Sequence, residues 1–165
     1  MTNLQKDWPS LSCPISNGFR FWSHEWEKHG ACSESQLDQH EYFEAALNLK
    51  KKVNPLQILR IARIEPNDGL YSLDNIIKAI IKGIGHTPRI GCNKDSDGNS
   101  QLYQIYLCVD SSGAEIIEYP VPPKGRCASI KYHDTDKRLV YITIRINIDQ
   151  LLHYLSCLFN LFFPP

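Results

Sequence analysis

Apolar positions first recur at helical spacing and then, past the middle of the chain, at a period of two. From Leu37 to Val53 the apolar residues Phe43, Ala46, Leu47 and Val53 fall near one stripe, Asp38 or Ser35 can cap the segment, and Pro55 closes it. Residues 55–64 predict a second amphipathic helix that ends before Pro66, where Pro66-Asn67-Asp68-Gly69 has turn composition. Ser72 can cap a third, with Leu73, Ile76, Ile77, Ile80 and Ile81 as its buried stripe and Gly83 or Gly85 as its stop. From Thr87 the period shortens. Residues 89–93, 101–110 and 115–119 predict strands, separated by turn clusters at 95–99 and 111–113. Tyr103, Ile105, Leu107 and Val109 alternate with Gln104, Tyr106, Cys108 and Asp110, as in a sheet with one face against helices. Pro120, Pro122 and Pro123 predict an extended loop leading to Cys127. Residues 139–146 alternate again, and 148–163 are rich in Leu and Phe. The predicted class is α+β, with helices packed on a central antiparallel sheet.

Chemistry concentrates ahead of these elements, in Phe21-Trp22-Ser23-His24-Glu25-Trp26-Glu27-Lys28-His29-Gly30. Ser23 as N-cap and Gly30 as C′ predict a short capped helix. At about 100° per residue, His24, Lys28, Glu25 and His29 share one arc, Trp22 and Trp26 occupy the next, and Glu27 points elsewhere. An imidazole beside a carboxylate is the arrangement of an oriented general base. The alternative is a solvated charged helix. His24-Glu25 also begins like a zinc-binding H-E-x-x-H, but the second histidine stands at i+5. On a regular helix the two rings diverge by roughly 140°, which argues against a shared metal. The later helices gather no such constellation and predict framework. Lys50, Lys51 and Lys52 complement a helix C-terminus, and His40 lies on a polar side.

The run His24 to Gly30, followed by Ala31-Cys32, resembles the second active-site segment of the T2-type ribonucleases, in its plant form. Trp8-Pro9-Ser10-Leu11-Ser12-Cys13-Pro14, Asp68-Gly69-Leu70-Tyr71, Ile90-Gly91-Cys92-Asn93 and Gln101 to Asp110 also resemble that family, so the likeness runs from about Leu4 to Ile130. It implies endonucleolytic cleavage of single-stranded RNA through a 2′,3′-cyclic phosphate, with no metal or other cofactor and with the protein acting as a monomer. By position His29 matches the general base, Glu25 its partner carboxylate, and Lys28 and His24 the groups that hold phosphate. Phe21 matches a base-stacking aromatic, with core packing as its alternative, and Trp22 and Trp26 read as core. A Cys92–Cys127 disulfide is implied as well. Cys13 and Cys32 match cysteines whose family partners lie upstream, Cys108 matches one whose partner position is Tyr119, and Cys157 lies outside the likeness. Unpaired thiols are therefore expected.

Composition narrows the rest. With 165 residues, 42% hydrophobic and 22% charged, the chain has the makings of one globular domain with a real core. Eighteen basic residues balance eighteen acidic ones, so polyanion affinity has to come from a local cluster. Six histidines add positive charge below about pH 6.5. The N-terminus has no apolar h-region and so no signal peptide, whereas the family is extracellular or vacuolar. No residue matches the family's first active-site segment, which carries the other catalytic histidine. The expectation is a domain incomplete at its N-terminus, with residues 1–130 a partial ribonuclease domain and 131–165 a divergent extension. Reduced or absent activity follows, with non-catalytic RNA binding or a non-functional remnant as the alternative. The apolar tail is too short and too polar at its start for a membrane span.

Overall fold

The computed structural model describes residues 2–10, 17–119, 127, 129–132, 141–147 and 156–162. Helix α1 (Thr2–Asp7) precedes α2 (Phe19–Glu25), which runs into a π-helical turn (Trp26–Gly30) and a 3-10 turn (Ala31–Ser33). Helices α3 (Gln39–Lys52) and α4 (Pro55–Ile61) follow, then β1 (Gly69–Ser72) and α5 (Leu73–Ile84). Strands β2 (Arg89–Lys94), β3 (Ser100–Val109), β4 (Ile116–Ile117), β5 (Ser129–Tyr132), β6 (Tyr141–Asn147) and β7 (Ser156–Phe162) complete one sheet. Cys13, the loop prolines, His133 and His153 lie outside the described residues.

The helices start where their sequences supply caps. Asp38 accepts the Glu41 N–H at 2.8 Å while the Glu41 carboxylate accepts the Asp38 N–H at 2.9 Å, a full capping box for α3. Asn54 accepts the Gln57 N–H at 3.0 Å to start α4, with Pro55 in its first turn, and Ser72 accepts the Asn75 N–H at 3.1 Å to start α5. Gly85 ends α5 with φ at 90°. Helix α4 ends earlier than its apolar pattern predicts. The Ile64 N–H bonds the Leu59 carbonyl and the Arg63 N–H bonds that of Arg60, which puts Arg63 in the left-handed position with φ at 58°. Glycine usually holds that place, and an L-residue there costs about 1–2 kcal/mol.

The sheet is built on β3. Strands β2 and β4 pair with it antiparallel, as the hairpin turns dictate. Strand β6 runs parallel to it from Gln104–Tyr141 to Val109–Ile146, with β7 antiparallel to β6 beyond. At the start of β3, β5 makes one parallel contact and passes on to β1. The predicted alternation of β3 breaks once. The register shifts between Gly91 and Cys92, so Leu102 and Ile105 are both buried while Tyr103 between them faces solvent. Tyr103 therefore does not join Ile105, Leu107 and Val109, which pack with Ile76, Ile80 and Leu59 in the core.

The Cys92–Cys127 disulfide implied by the resemblance is present, with Cα atoms 6.1 Å apart across 35 residues. A loop of that length gives on the order of 3–4 kcal/mol in the chain-entropy account. One cysteine expectation is overturned: Cys32 is disulfide-bonded, not an orphaned thiol. Cys108 is a buried thiol on β3. Among the described residues no helix is long and apolar enough to cross a membrane. Because Ile105 is fully buried where β2, β3 and β6 meet the helices, Ile105→Ala is expected to lower unfolding free energy by about 2–5 kcal/mol, read from urea denaturation followed by circular dichroism.

Candidate active site

The segment carrying the histidines is held at both ends by aromatic rings. It begins at Gly18, whose φ of 81° favours glycine and where a Cβ would lie 2.7 Å from the Trp22 ring. Trp22 is buried, and its indole N–H donates to the Trp8 carbonyl at 2.9 Å. Phe21 is half-buried with its ring edge-on to Trp8 at 6.3 Å. Trp8 in turn meets Phe43 of α3 at 5.6 Å, and Phe43 meets Tyr42 at 5.3 Å. Tyr42 packs edge-on against Trp26 at 5.4 Å. Each such pair contributes about 0.5–1.5 kcal/mol beyond its buried area. Tyr42 is the residue that sequence reasoning misses. Its signal is present in the 4-3-4 spacing of Tyr42, Ala46, Leu49 and Val53, all of them buried.

Between these anchors the helix changes its winding. The Ala31 N–H bonds the Trp26 carbonyl, five residues back, which defines the π turn. Ser33 Oγ then donates to the Gly30 carbonyl at 2.6 Å in the following 3-10 turn. Two capping expectations are therefore corrected. Ser23 lies inside α2, whose N-cap is Gly18, and Gly30 does not stop the helix but continues it with a negative φ. Gly30 is needed for space: a Cβ there would stand 2.4 Å from Cε3 of Trp26.

The wider turn overturns the predicted divergence of the two histidines. The His24 and His29 rings meet edge-to-face, 6.4 Å between centroids and at 87°. An extra residue per turn brings positions five apart into line, which the regular-helix projection could not show. His24 and Lys28 are exposed and His29 is half-buried. Burial lowers the His29 pKa from its ordinary 6.5, and the charges of His24 and Lys28 lower it further. The protonated form of His29 is thus disfavoured, which suits a base, and the exposed His24 and Lys28 stand beside it.

Glu25 is only 6% exposed, so it faces inward and does not share an open arc with the histidines. Its charge reaches Tyr42, whose pKa is raised by burial first and by Glu25 second. The structure thus gathers His24, Lys28 and His29 and seats Glu25 in the aromatic layer behind them. Of the other histidines, His40 is exposed beside Glu44 at 3.8 Å and His86 lies 3.7 Å from Glu118. Among the described residues no group of three or more metal-ligating side chains comes together.

Comparison with known proteins decides the family. Residues 1–157 match the model of the Ribonuclease T2 family. The chain belongs to the Ribonuclease T2 family. It is 57% identical over 129 residues to Ribonuclease 3 of Arabidopsis thaliana, a match covering 78% of this chain and 58% of that protein. It is 55% identical over 131 residues to Intracellular ribonuclease LX of Solanum lycopersicum, covering 78% of this chain and 54% of that one. The crystal structure of RNase NT in complex with 5′-AMP superposes with a TM-score of 0.69 at 50% identity, over 80% of this chain and 64% of that one. The chain spans a little over half the length of the curated relatives it matches. Of the relatives from Solanum lycopersicum, one is named intracellular and another, Extracellular ribonuclease LE, extracellular.

The packing of Gly30 on Trp26 generates a direct test. Gly30→Ala is expected to destabilise the fold by about 1–3 kcal/mol, because the indole is held between Gly30 and Tyr42 and cannot swing aside freely. Thermal unfolding checks the loss, and near-ultraviolet circular dichroism checks the displaced indole.

Proposed function

We propose that this chain carries the base and phosphate-holding half of a T2-type endoribonuclease site and cleaves single-stranded RNA slowly. The observation that supports this most is the edge-to-face approach of His24 and His29 beside Lys28, within a segment of family sequence. Neutral His29 takes the proton of a ribose 2′-OH, and that oxygen attacks the adjacent phosphorus. Lys28 and His24 face the charge that builds on the phosphorane and offset it. The bond to the 5′-oxygen breaks, the oxygen takes up a proton, and a 2′,3′-cyclic phosphate remains. Glu25 is a positioning residue, acting through the Tyr42–Trp26 packing that holds the turn. Phe21 is half-buried with its ring at 80° to that of Trp8, and its exposed part is the proposed stacking surface for a base.

Reduced turnover follows from the acid side. Among the described residues the histidine beside His29 is His24, which has to serve the phosphate as well as the leaving oxygen. A dedicated acid is worth about 10²–10⁴ in rate, so cleavage is expected to be slower by that factor than in a site with both histidines. The disulfides fit an oxidising compartment, extracellular or vacuolar.

Release of cyclic phosphate from a dinucleotide in mildly acidic buffer tests the reading. His29→Ala should abolish it. The lowered His29 pKa means the base form is lost only below 6.5, so the acid limb of kcat/KM should lie beneath that value. Lys28→Gln removes one of the lowering charges and should move the limb up toward 6.5 without reaching it, because burial is the larger cause. No turnover, or turnover indifferent to His29→Ala, would leave RNA binding without catalysis.

A further inference from the structure

Helices α4 and α5 read as plain framework in the sequence, yet the fold brings their cations to one cleft. The turn after α4, β1 and the outer side of α5 line a cavity of about 400 Å³, walled by Arg63, Tyr71, Asn75, Lys78 and Lys82. That volume is in the range of small-ligand sites. Among the described residues no carboxylate lines it. Three cations line the cleft, and Lys78 also pairs with Asp74 at 2.5 Å on the exposed side of α5. Tyr71 is fixed at its hydroxyl, which donates to Asn67 Oδ1 at 3.1 Å and accepts the Glu65 N–H at 3.2 Å. The ring is thereby held as a rigid wall of the cavity.

Arg63 adds an independent observation. It occupies the left-handed position after α4 that glycine usually fills, and the two backbone bonds of that turn make no demand on its side chain. A strained residue that contributes a guanidinium to a cationic cleft suggests that the side chain is retained for what it binds.

We infer that this cleft is a subsite for one nucleotide of a single-stranded RNA, with Arg63, Lys78 and Lys82 on the phosphates and Tyr71 stacking the base. The identity of the ligand rests on the ribonuclease reading above, but the binding does not depend on turnover, since none of its residues comes from the His24–His29 segment. With no net charge on the chain, such a local cluster supplies the polyanion attraction that overall composition does not. The competing account is a solvated face in which Lys78 and Lys82 merely support α5 through Asp74.

Fluorescence anisotropy with a labelled 2′-O-methyl oligouridylate, which cannot be cleaved, separates the two on the full chain. Lys78→Gln with Lys82→Gln should weaken binding roughly tenfold and reduce the slope of log K against log salt by about 1.4, at about 0.7 for each phosphate left without its lysine. Arg63→Gly should weaken binding while raising the melting temperature by about 2–4 °C, opposite signs that a purely structural role cannot produce. Unchanged affinity and slope in the lysine variant would overturn the subsite. So would displacement of inorganic phosphate alone, with RNA binding untouched. His29→Ala should leave the lysine effect in place. Loss of cyclic-phosphate release with that effect intact therefore defeats only the catalytic reading, and the reverse result defeats only the subsite.

Discussion

The close approach of the Gly30 backbone to the Trp26 ring is the constraint on which the candidate site depends. With the indole packed on one side by Tyr42, any side chain at position 30 would collide with it, and only glycine lets the chain pass at that distance. The helix accommodates the indole by widening for one turn, so that an N–H reaches back five residues instead of four. That single change of winding converts a histidine pair facing apart into a pair in contact. It also gives physical content to the coupling between them. Two imidazoles and a lysine at close quarters cannot all be charged cheaply, and the half-buried member, His29, has its pKa driven down by burial and by its two neighbours.

The aromatic layer explains why a site on such a short helical segment can be rigid. Trp26, Tyr42, Phe43, Trp8 and Phe21 form a continuous run of edge-to-face contacts from one end of the segment to α3 and back to its other end. Glu25 belongs to this layer and not to the open face, where a regular helical wheel had put it. The sheet contributes from the other side, since β7 lies against the π and 3-10 turns as well as α3. Register links that strand to the core. Ile142, Ile144 and Ile146 stand at the positions of Ile105, Leu107 and Val109, and Leu161, Phe159 and Cys157 stand opposite them in turn. The apolar alternation of β3 is thus carried across two further strands.

Much of this is legible in the sequence because local chemistry and tertiary packing agree. Asp38 and Ser72 cap the helices that their positions predict, and the alternation of β3 and β6 marks strands that form. The family is legible in one motif, because few segments combine histidine, glutamate, lysine and tryptophan at those intervals. What is not legible depends on residues far apart in the chain. The π turn packs its Trp26 against Tyr42 in another helix. The bulge at Tyr103 is set by pairing with Gly91 and Cys92, and β1 and β5 are short strands without a periodic pattern of their own. The cationic cleft joins Arg63 to Lys78 and Lys82, which no spacing along the sequence relates.

The claim that the π turn couples the two histidines is tested most directly by following the His29 ring resonances in an NMR pH titration of the wild type and of His24→Ala. The account predicts that His29 titrates below 6.5 in the wild type and shifts upward in the variant, stopping short of 6.5 because burial remains. A His29 that titrates at 6.5, or that ignores the loss of His24, would contradict it.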